Sequence, residues 1–118
     1  MIIAIPVDEG KETVCVSFGR APYFLIHNSE NDETNIVENP AAEAQGGAGI
    51  QAAQFVADTG ADSLITVRCG QNSADVFKAA DLKIYRARGE SASENLKLLA
   101  EGKLEELTSF HAGFHGKT

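Results

Sequence analysis

The sequence predicts an α/β domain in which a mixed sheet of five strands carries three helices. The chain of 118 residues has the usual size of one domain, and its 43% of apolar residues suffice for one core. Residues 2–7 and 63–67 are apolar without polar alternation, which is typical of central strands covered on both faces. Strand patterns come first and then alternate with helical patterns, as in α/β folds.

Three strands open the chain. Residues 2–7 form the first strand, and Pro6 is tolerated near its end. Residues 23–27 are rich in aromatic and β-branched side chains, which indicates a second strand. Residues 34–39 are more polar and stop at Pro40, as expected for a third strand at the edge of a sheet.

The spacing of apolar residues then becomes helical. Residues 50–59 gather their polar side chains on one narrow arc, which predicts a largely buried helix that ends at Gly60. A buried fourth strand over residues 63–67 follows. Asn72 has the position of an N-cap for a second helix over residues 73–80.

The last two elements are a strand and a helix. Residues 82–85 alternate like a strand near an edge. Ser91 and Glu94 have the spacing of a capping box at a helix start, and Gly102 would end this helix. The residues expected on its buried face are Ala92, Leu96 and Leu99.

The connections between the elements predict the sheet order. Two hairpins make the third strand parallel to the first, and right-handed crossovers make the fourth and fifth strands parallel to it as well. With the fourth strand beside the first, the order is 3-2-1-4-5 and the fold is ribonuclease H-like. The domain would span residues 1–107, and residues 108–118 would form a flexible tail.

The charge of the chain restricts its partners. It has 10 Lys and Arg against 17 Asp and Glu, a formal net charge of -7. Such a surface repels phosphate backbones and anionic membranes, so neither nucleic acid nor a membrane is expected as a partner. The apolar start lacks the basic region of a signal peptide, and two cysteines are too few for a secreted disulfide scaffold. These features predict a cytoplasmic protein.

A ligand site is expected at one edge of the sheet, outside the carboxyl ends of the strands and where the strand order reverses. The glycine run at residues 46–49 precedes the first helix and Gly70 precedes the second, so their N–H groups could face an anion. Arg20 and Arg68 add positive charge there. The structural alternative is that these glycines only permit tight turns.

Four side chains are candidate metal ligands. Cys69 follows the fourth strand and Cys15 lies in the loop after the first, and thiolates suit soft metals such as Cu(I), zinc and iron in iron-sulfur clusters. His111 and His115 have a spacing that one metal ion can bridge. The structural alternatives are packed cysteines and solvated tail histidines. His27, on a strand, is expected to be structural.

Five short segments of the sequence together form a specific pattern. They are Ile3-Ala4-Ile5-Pro6-Val7, Phe18-Gly19-Arg20-Ala21-Pro22-Tyr23-Phe24, Glu38-Asn39-Pro40, Gly46-Gly47-Ala48-Gly49-Ile50 and Lys83-Ile84-Tyr85. This pattern resembles the dinitrogenase iron-molybdenum cofactor biosynthesis family over residues 1–107. The resemblance implies a ribonuclease H-like fold and a role in carrying iron-molybdenum cofactor or its precursors. Several members have histidines where this chain has Ser17 and Gln45, so Cys15 and Cys69 would replace these ligands or the metal role would be lost.

We therefore expect a small non-catalytic protein that binds or carries a metal-sulfur cluster of Fe, Mo or Cu, with cluster donor and acceptor proteins as partners. The residues expected to bind the cofactor are Phe18, Gly19, Arg20, Gly46, Gly47, Gly49, Arg68 and Gly70. The alternative is a metal-free regulatory module that binds a small anionic metabolite through the glycine loop and the helix N-termini. A third hypothesis is an adaptor that presents the edge strand at residues 34–39. Nuclease activity is not expected, because the sequence does not supply acidic residues that converge on two metal ions.

Overall fold

Five strands and three helices follow one another in the computed structural model, which describes residues 1–108 and residue 110. The strands are β1 (Ile2–Val7), β2 (Tyr23–Asn28), β3 (Glu33–Glu38), β4 (Ser63–Thr66) and β5 (Lys83–Arg86). The helices are α1 (Ala48–Asp58), α2 (Gln71–Ala79) and α3 (Ala92–Ala100). The predicted order of elements, βββαβαβα, is confirmed.

The strands form one mixed sheet with the order β3-β2-β1-β4-β5. β1 pairs with β2 in the antiparallel direction, with Ile5 opposite Leu25, and with β4 in the parallel direction, with Ala4 beside Leu64. β4 and β5 are also parallel. The predicted order 3-2-1-4-5 is confirmed, and β1, β4 and β5 all end at the same edge of the sheet.

The central strand β1 contributes to both faces of the sheet, which explains why its sequence lacks polar alternation. Ala4 packs with Phe24 and Phe77 in a core that α1 and α2 cover. Ile5 packs with Ile65 in a second core on the other face, which α3 covers. Burying a side chain of the size of Ile5 or Phe24 contributes roughly 1.5–3 kcal/mol to the free energy of unfolding.

The helices α1 and α2 begin earlier than predicted. α1 begins at Ala48, after Gly47, whose φ of 68° is a left-handed conformation that favours glycine. Gly49 is therefore in the first helical turn and not in a loop. The N-cap of α2 is Gly70, so the prediction that Asn72 caps this helix is wrong. Asn72 lies within the first turn, past the position from which a side chain caps it.

The start of α3 agrees with the sequence, whereas its inner face differs. Ser91 is the N-cap, and its hydroxyl oxygen accepts a hydrogen bond from the Glu94 N–H at 3.1 Å. Ala92 is buried, but the two leucines predicted on this face are half-buried. Asn95 is fully buried among them. Its polar side chain therefore needs hydrogen-bond partners inside the protein.

A C-terminal segment covers the free edge of β5. The Arg86 N–H donates to the Glu105 carbonyl, and the Leu107 N–H donates to the Ile84 carbonyl, both at 2.8 Å. The segment runs antiparallel to β5, so it leads away from the edge at which the parallel strands end. Of the predicted tail, only residues 108 and 110 lie within the described part of the chain.

The opposite edge of the sheet is β3, as predicted, and most of its residues are exposed. Ile36 on this strand is 37% exposed. An adaptor role for this edge stays a prediction. Within residues 1–108 and 110, the helices are too short or too polar to cross a membrane.

Candidate functional site

A cavity of about 650 Å³ opens at the edge of the sheet where β1 and β4 end. It is formed by the loop after β1, the segment that enters α1 and the turn between β4 and α2. The lining residues are Ser17, Phe18, Gly19, Arg20, Gln45, Gly46, Gly47, Ala48, Gly49, Ile50, Arg68, Cys69, Gly70, Asn72 and Ser73. None of them is acidic, although the chain contains 17 Asp and Glu. The cavity lies where the strand order predicted a crevice.

The residues expected to bind a cofactor all line this cavity. The N-termini of α1 and α2 both open into it, and the first N–H groups of a helix have no acceptor within the helix. These donors and the positive end of each helix dipole favour an anion. The structure therefore brings the candidates together, and their role in binding stays a prediction.

Two glycines of the cavity wall lie close to neighbouring segments. A Cβ atom at Gly49 would lie 2.6 Å from Oγ of Ser73 on α2. A Cβ atom at Gly19 would meet the backbone of the first turn of α1. Gly46 faces open space instead, with nothing within 4 Å. The structural alternative, in which the glycines permit tight turns, accounts for Gly47, whose φ is 68°, whereas neither a positive φ nor close packing accounts for Gly46.

Phe18 anchors the loop after β1 in the core. Its side chain is buried, and its ring centroid lies 5.5 Å from that of Phe24 and 5.3 Å from that of Phe77. Tilted and edge-on aromatic pairs at such distances are favourable. Phe18 therefore shapes the floor of the cavity, and it holds the neighbouring Gly19 and Arg20 in place.

The two arginines of the cavity have different surroundings. Nη1 of Arg20 donates to the carbonyl oxygens of Ala42, at 3.2 Å, and of Ala44. The Arg68 side chain is exposed, and its guanidinium makes no hydrogen bond or ion pair with the described residues. Both supply the predicted positive charge, and Arg20 in addition holds the segment that precedes α1.

Asn39 supports the cavity and was missed at the sequence level. Its buried side chain donates from Nδ2 to the carbonyls of Gly19, at 3.1 Å, and Ala21, at 2.8 Å. Its Oδ1 accepts from the Ala41 N–H at 2.9 Å. These bonds tie the loop after β1 to the segment that enters α1. The one signal in the sequence was the step from Asn39 to Pro40, which marks a turn.

Cys69 lines the cavity but is almost completely buried, with 1% of its surface exposed. Burial raises the pKa of its thiol to about 12, and a hydrogen bond with Ser73 opposes this effect only in part. The Sγ atom donates to the Gly70 carbonyl at 3.5 Å. The thiol is therefore neutral at pH 7, whereas the thiolate is the form that binds metals.

Cys15 is half-buried and does not line the cavity. Its N–H donates to the Pro6 carbonyl at 2.8 Å, which holds it beside the end of β1. Burial, followed by a hydrogen bond to the Asp8 carboxylate, raises the pKa of its thiol. The structure brings one of the two cysteines to the cavity, and a metal-binding role for either stays a prediction.

Metal coordination was the second expectation for this site. Among residues 1–108 and 110, no three His, Cys, Asp or Glu side chains converge on a point where they could hold a metal ion. His27 has the structural environment that was expected, with Nδ1 2.8 Å from Thr34 Oγ1 and Nε2 3.4 Å from the Asp32 carboxylate. His111 and His115 lie outside the described residues. What the described cavity offers a ligand is hydrogen-bond donors and positive charge.

Known proteins share this sequence pattern and fold. The family model described as dinitrogenase iron-molybdenum cofactor matches residues 1–102. An uncharacterized protein of Methanocaldococcus jannaschii is 35% identical over 109 residues, which are 90% of this chain and 91% of that protein. The apo form of the orange protein of Desulfovibrio gigas has a TM-score of 0.85 at 26% identity, over 92% of this chain and 93% of that one. A Thermotoga protein provisionally assigned as NifB has a TM-score of 0.79 at 35% identity, over 95% and 97% of the two chains.

Proposed function

The chain belongs to the dinitrogenase iron-molybdenum cofactor family, and on this premise we propose that it carries an anionic metal-sulfur cluster, or a precursor of one, in the cavity at the ends of β1 and β4. The family consists of small proteins of the cofactor-carrier type. The cluster is cargo that is bound and released unchanged, so the cavity needs no catalytic group.

The observation that carries this proposal is the charge of the cavity. The chain as a whole has a net charge of -7, yet the described residues that line the cavity include two arginines and no carboxylate. Two helix N-termini add partial positive charge, of about half an elementary charge each. An anion is therefore attracted to this cavity although the net charge of the chain is negative.

The described residues favour binding without coordination by protein thiolates. Cys69 is the cysteine that lines the cavity, and its side chain is buried, with 1% of its surface exposed. A preassembled cluster brings its own sulfide ligands, and these can accept hydrogen bonds from backbone N–H groups and from guanidinium groups. Cargo held in this way can be passed on without breaking a bond between metal and protein.

Anaerobic reconstitution tests this function. The full chain is incubated with iron, molybdenum, copper and sulfide and then desalted, and its metal content and absorption spectrum are measured. We expect stoichiometric metal with sulfur-to-metal charge-transfer bands. Absence of metal from the wild type would refute a carrier role.

Three variants locate the cargo and define its binding mode. Arg68→Glu reverses a charge at the cavity and, because this slows capture of the anion, is expected to lower the metal taken up during a short fixed incubation by about tenfold or more. Lys78→Glu is the matched control, because it makes the same charge change on an exposed residue of α2 that does not line the cavity. Cys69→Ser is expected to retain metal. Loss of metal in this variant alone would show that the Cys69 thiolate coordinates the cargo.

A metal-free regulatory module that binds a small anionic metabolite is the second candidate. The observation that favours it is the lack of a metal-binding set among the described residues, together with the burial of Cys69. Phosphorylated metabolites and nucleotides would then raise the melting temperature of metal-free protein. The same Arg68→Glu variant would abolish this shift. Stabilisation without any metal uptake would favour this candidate over the carrier.

A further inference from the structure

The two arginines that line the cavity differ in the hydrogen bonds that their guanidinium groups make. Arg20 and Arg68 line the same cavity and carry the same charge. Nη1 of Arg20 donates to the carbonyls of Ala42 and Ala44, whereas the guanidinium of Arg68 has no partner among residues 1–108 and 110. Their side chains can therefore influence a ligand in different ways.

The segment that Arg20 holds leads directly into the part of the cavity wall that precedes α1. Within the described residues, the other hydrogen bonds of residues 40–46 are short-range contacts with Asn39, Ala41 and Gln51. Arg20 is 22 to 24 residues away in sequence from the carbonyls it contacts. Arg20 thus makes the long-range hydrogen bonds to the middle of this segment, in addition to the packing of Ala41 and Ala44 against the core. Gln45, Gly46 and Gly47 of the cavity wall follow directly.

We propose that the two arginines divide the handling of the anionic ligand: Arg68 accelerates its capture, and Arg20 slows its release by tying the bound anion to the wall segment at residues 40–47. This inference rests on the proposed function, in which the cavity binds an anion. A guanidinium has five N–H donors in a fixed planar fork. Because Nη1 of Arg20 already serves the carbonyls, donors on Nε and Nη2 remain for an anion.

One guanidinium that bonds both the anion and the wall couples the two. Charge-assisted hydrogen bonds are stronger than neutral ones, so a bound anion fixes the plane of the guanidinium and with it the wall segment. Such coupling is reciprocal, since loosening of the wall must weaken the bond to the anion by the same free energy. Release then requires the loss of contacts on both sides of Arg20. An exposed charge without other contacts, such as Arg68, acts mainly on the rate of encounter.

Stopped-flow absorption with tetrathiomolybdate as the probe separates the two tasks. Arg20→Lys keeps the charge but removes the planar fork, and it is expected to raise the dissociation rate constant by about tenfold, with the association rate constant within about twofold. Arg68→Gln removes a charge and is expected to slow association several-fold at low salt, with an unchanged dissociation rate. An unchanged dissociation rate in Arg20→Lys, or the same rate constant altered in both variants, would overturn the division of tasks.

Amide hydrogen exchange of ligand-free protein gives an independent readout. Arg20→Lys is expected to speed exchange in residues 41–47 but not in β1, whereas Arg68→Gln should match the wild type throughout. Equal exchange rates in all three proteins would show that Arg20 does not hold the wall segment, even if tetrathiomolybdate binds. If the wild type binds neither tetrathiomolybdate, molybdate nor inorganic phosphate, both the proposed function and the division of tasks are overturned. Faster exchange in Arg20→Lys would in that case still establish that Arg20 holds the wall segment.

Discussion

Gly19 and Gly49 approach each other so closely that a Cβ atom on Gly19 would lie 3.0 Å from the Cα of Gly49. This contact joins the loop after β1 to the first turn of α1, on either side of the cavity. Both partners in it are backbone, so the strain of an added methyl group cannot be relieved by rotation of a side chain. The close approach of the two walls therefore depends on the absence of a side chain at Gly19.

Gly19→Ala is accordingly expected to destabilise the protein. Overpacking by one methyl group of this kind costs about 1–3 kcal/mol in the free energy of unfolding, which urea denaturation measures. Gly46→Ala is the control, because Gly46 has nothing within 4 Å. Equal stability of the two variants would show that the wall can move apart without cost.

Asn95→Ala is expected to cost about 3 kcal/mol of unfolding free energy, since it removes three hydrogen bonds that the fully buried Asn95 side chain makes with partly buried backbone groups. The Asn95 side chain accepts from the Arg88 N–H at 2.7 Å and donates to the carbonyls of Arg88, at 3.0 Å, and Ser91, at 2.8 Å. Asn72→Ala removes the same group from an exposed position and should stay within about 0.5 kcal/mol of the wild type. A small effect at both positions would mean that water replaces the partners of Asn95.

The Cys69 thiol is expected to make stability fall at alkaline pH. Burial raises its pKa from the ordinary value of 9.0 to about 12, so between these values the folded state binds a proton that the unfolded state has lost. The contribution of this thiol to the free energy of unfolding is complete below pH 9.0 and is lost as the pH rises towards 12. Over this range the free energy of unfolding falls by up to about 1.4 kcal/mol per pH unit. Urea denaturation between pH 8 and pH 11 should give a steeper decline for the wild type than for Cys69→Ala. Parallel curves would contradict the raised pKa.

Alkylation with iodoacetamide should distinguish the two cysteines. Cys69 is buried with a strongly raised pKa, whereas Cys15 is half-buried. Because the exposed thiolate is the reactive species, Cys15 should be modified faster in the native protein at pH 8. Protein unfolded in urea provides the control, in which the two rates should converge. Faster modification of Cys69 in the native state would indicate that its side of the cavity opens.

The elements that sequence patterns predicted best are those whose burial follows from local spacing. The apolar run of β1 and the change to helical spacing after Pro40 were sufficient for the order of elements, and connection rules then gave the sheet order. Helix starts were less accurate, because Gly47 and Gly70 begin α1 and α2 without a capping side chain. A search for Ser, Thr, Asp or Asn at the N-cap therefore misses them.

The sequence by itself determined the fold, the edge of the sheet at which the cavity opens and the presence of positive charge on an acidic chain. These follow from hydrophobic periodicity, from the handedness of connections and from composition. Only the tertiary structure decided that Cys69 lines the cavity while Cys15 does not, that Asn39 and Asn95 are buried, and that Arg20 donates to carbonyls 22 to 24 residues away. The physical reason is that periodicity reports which face of an element is buried, whereas the partners of a polar group depend on which distant segment of backbone packs beside it.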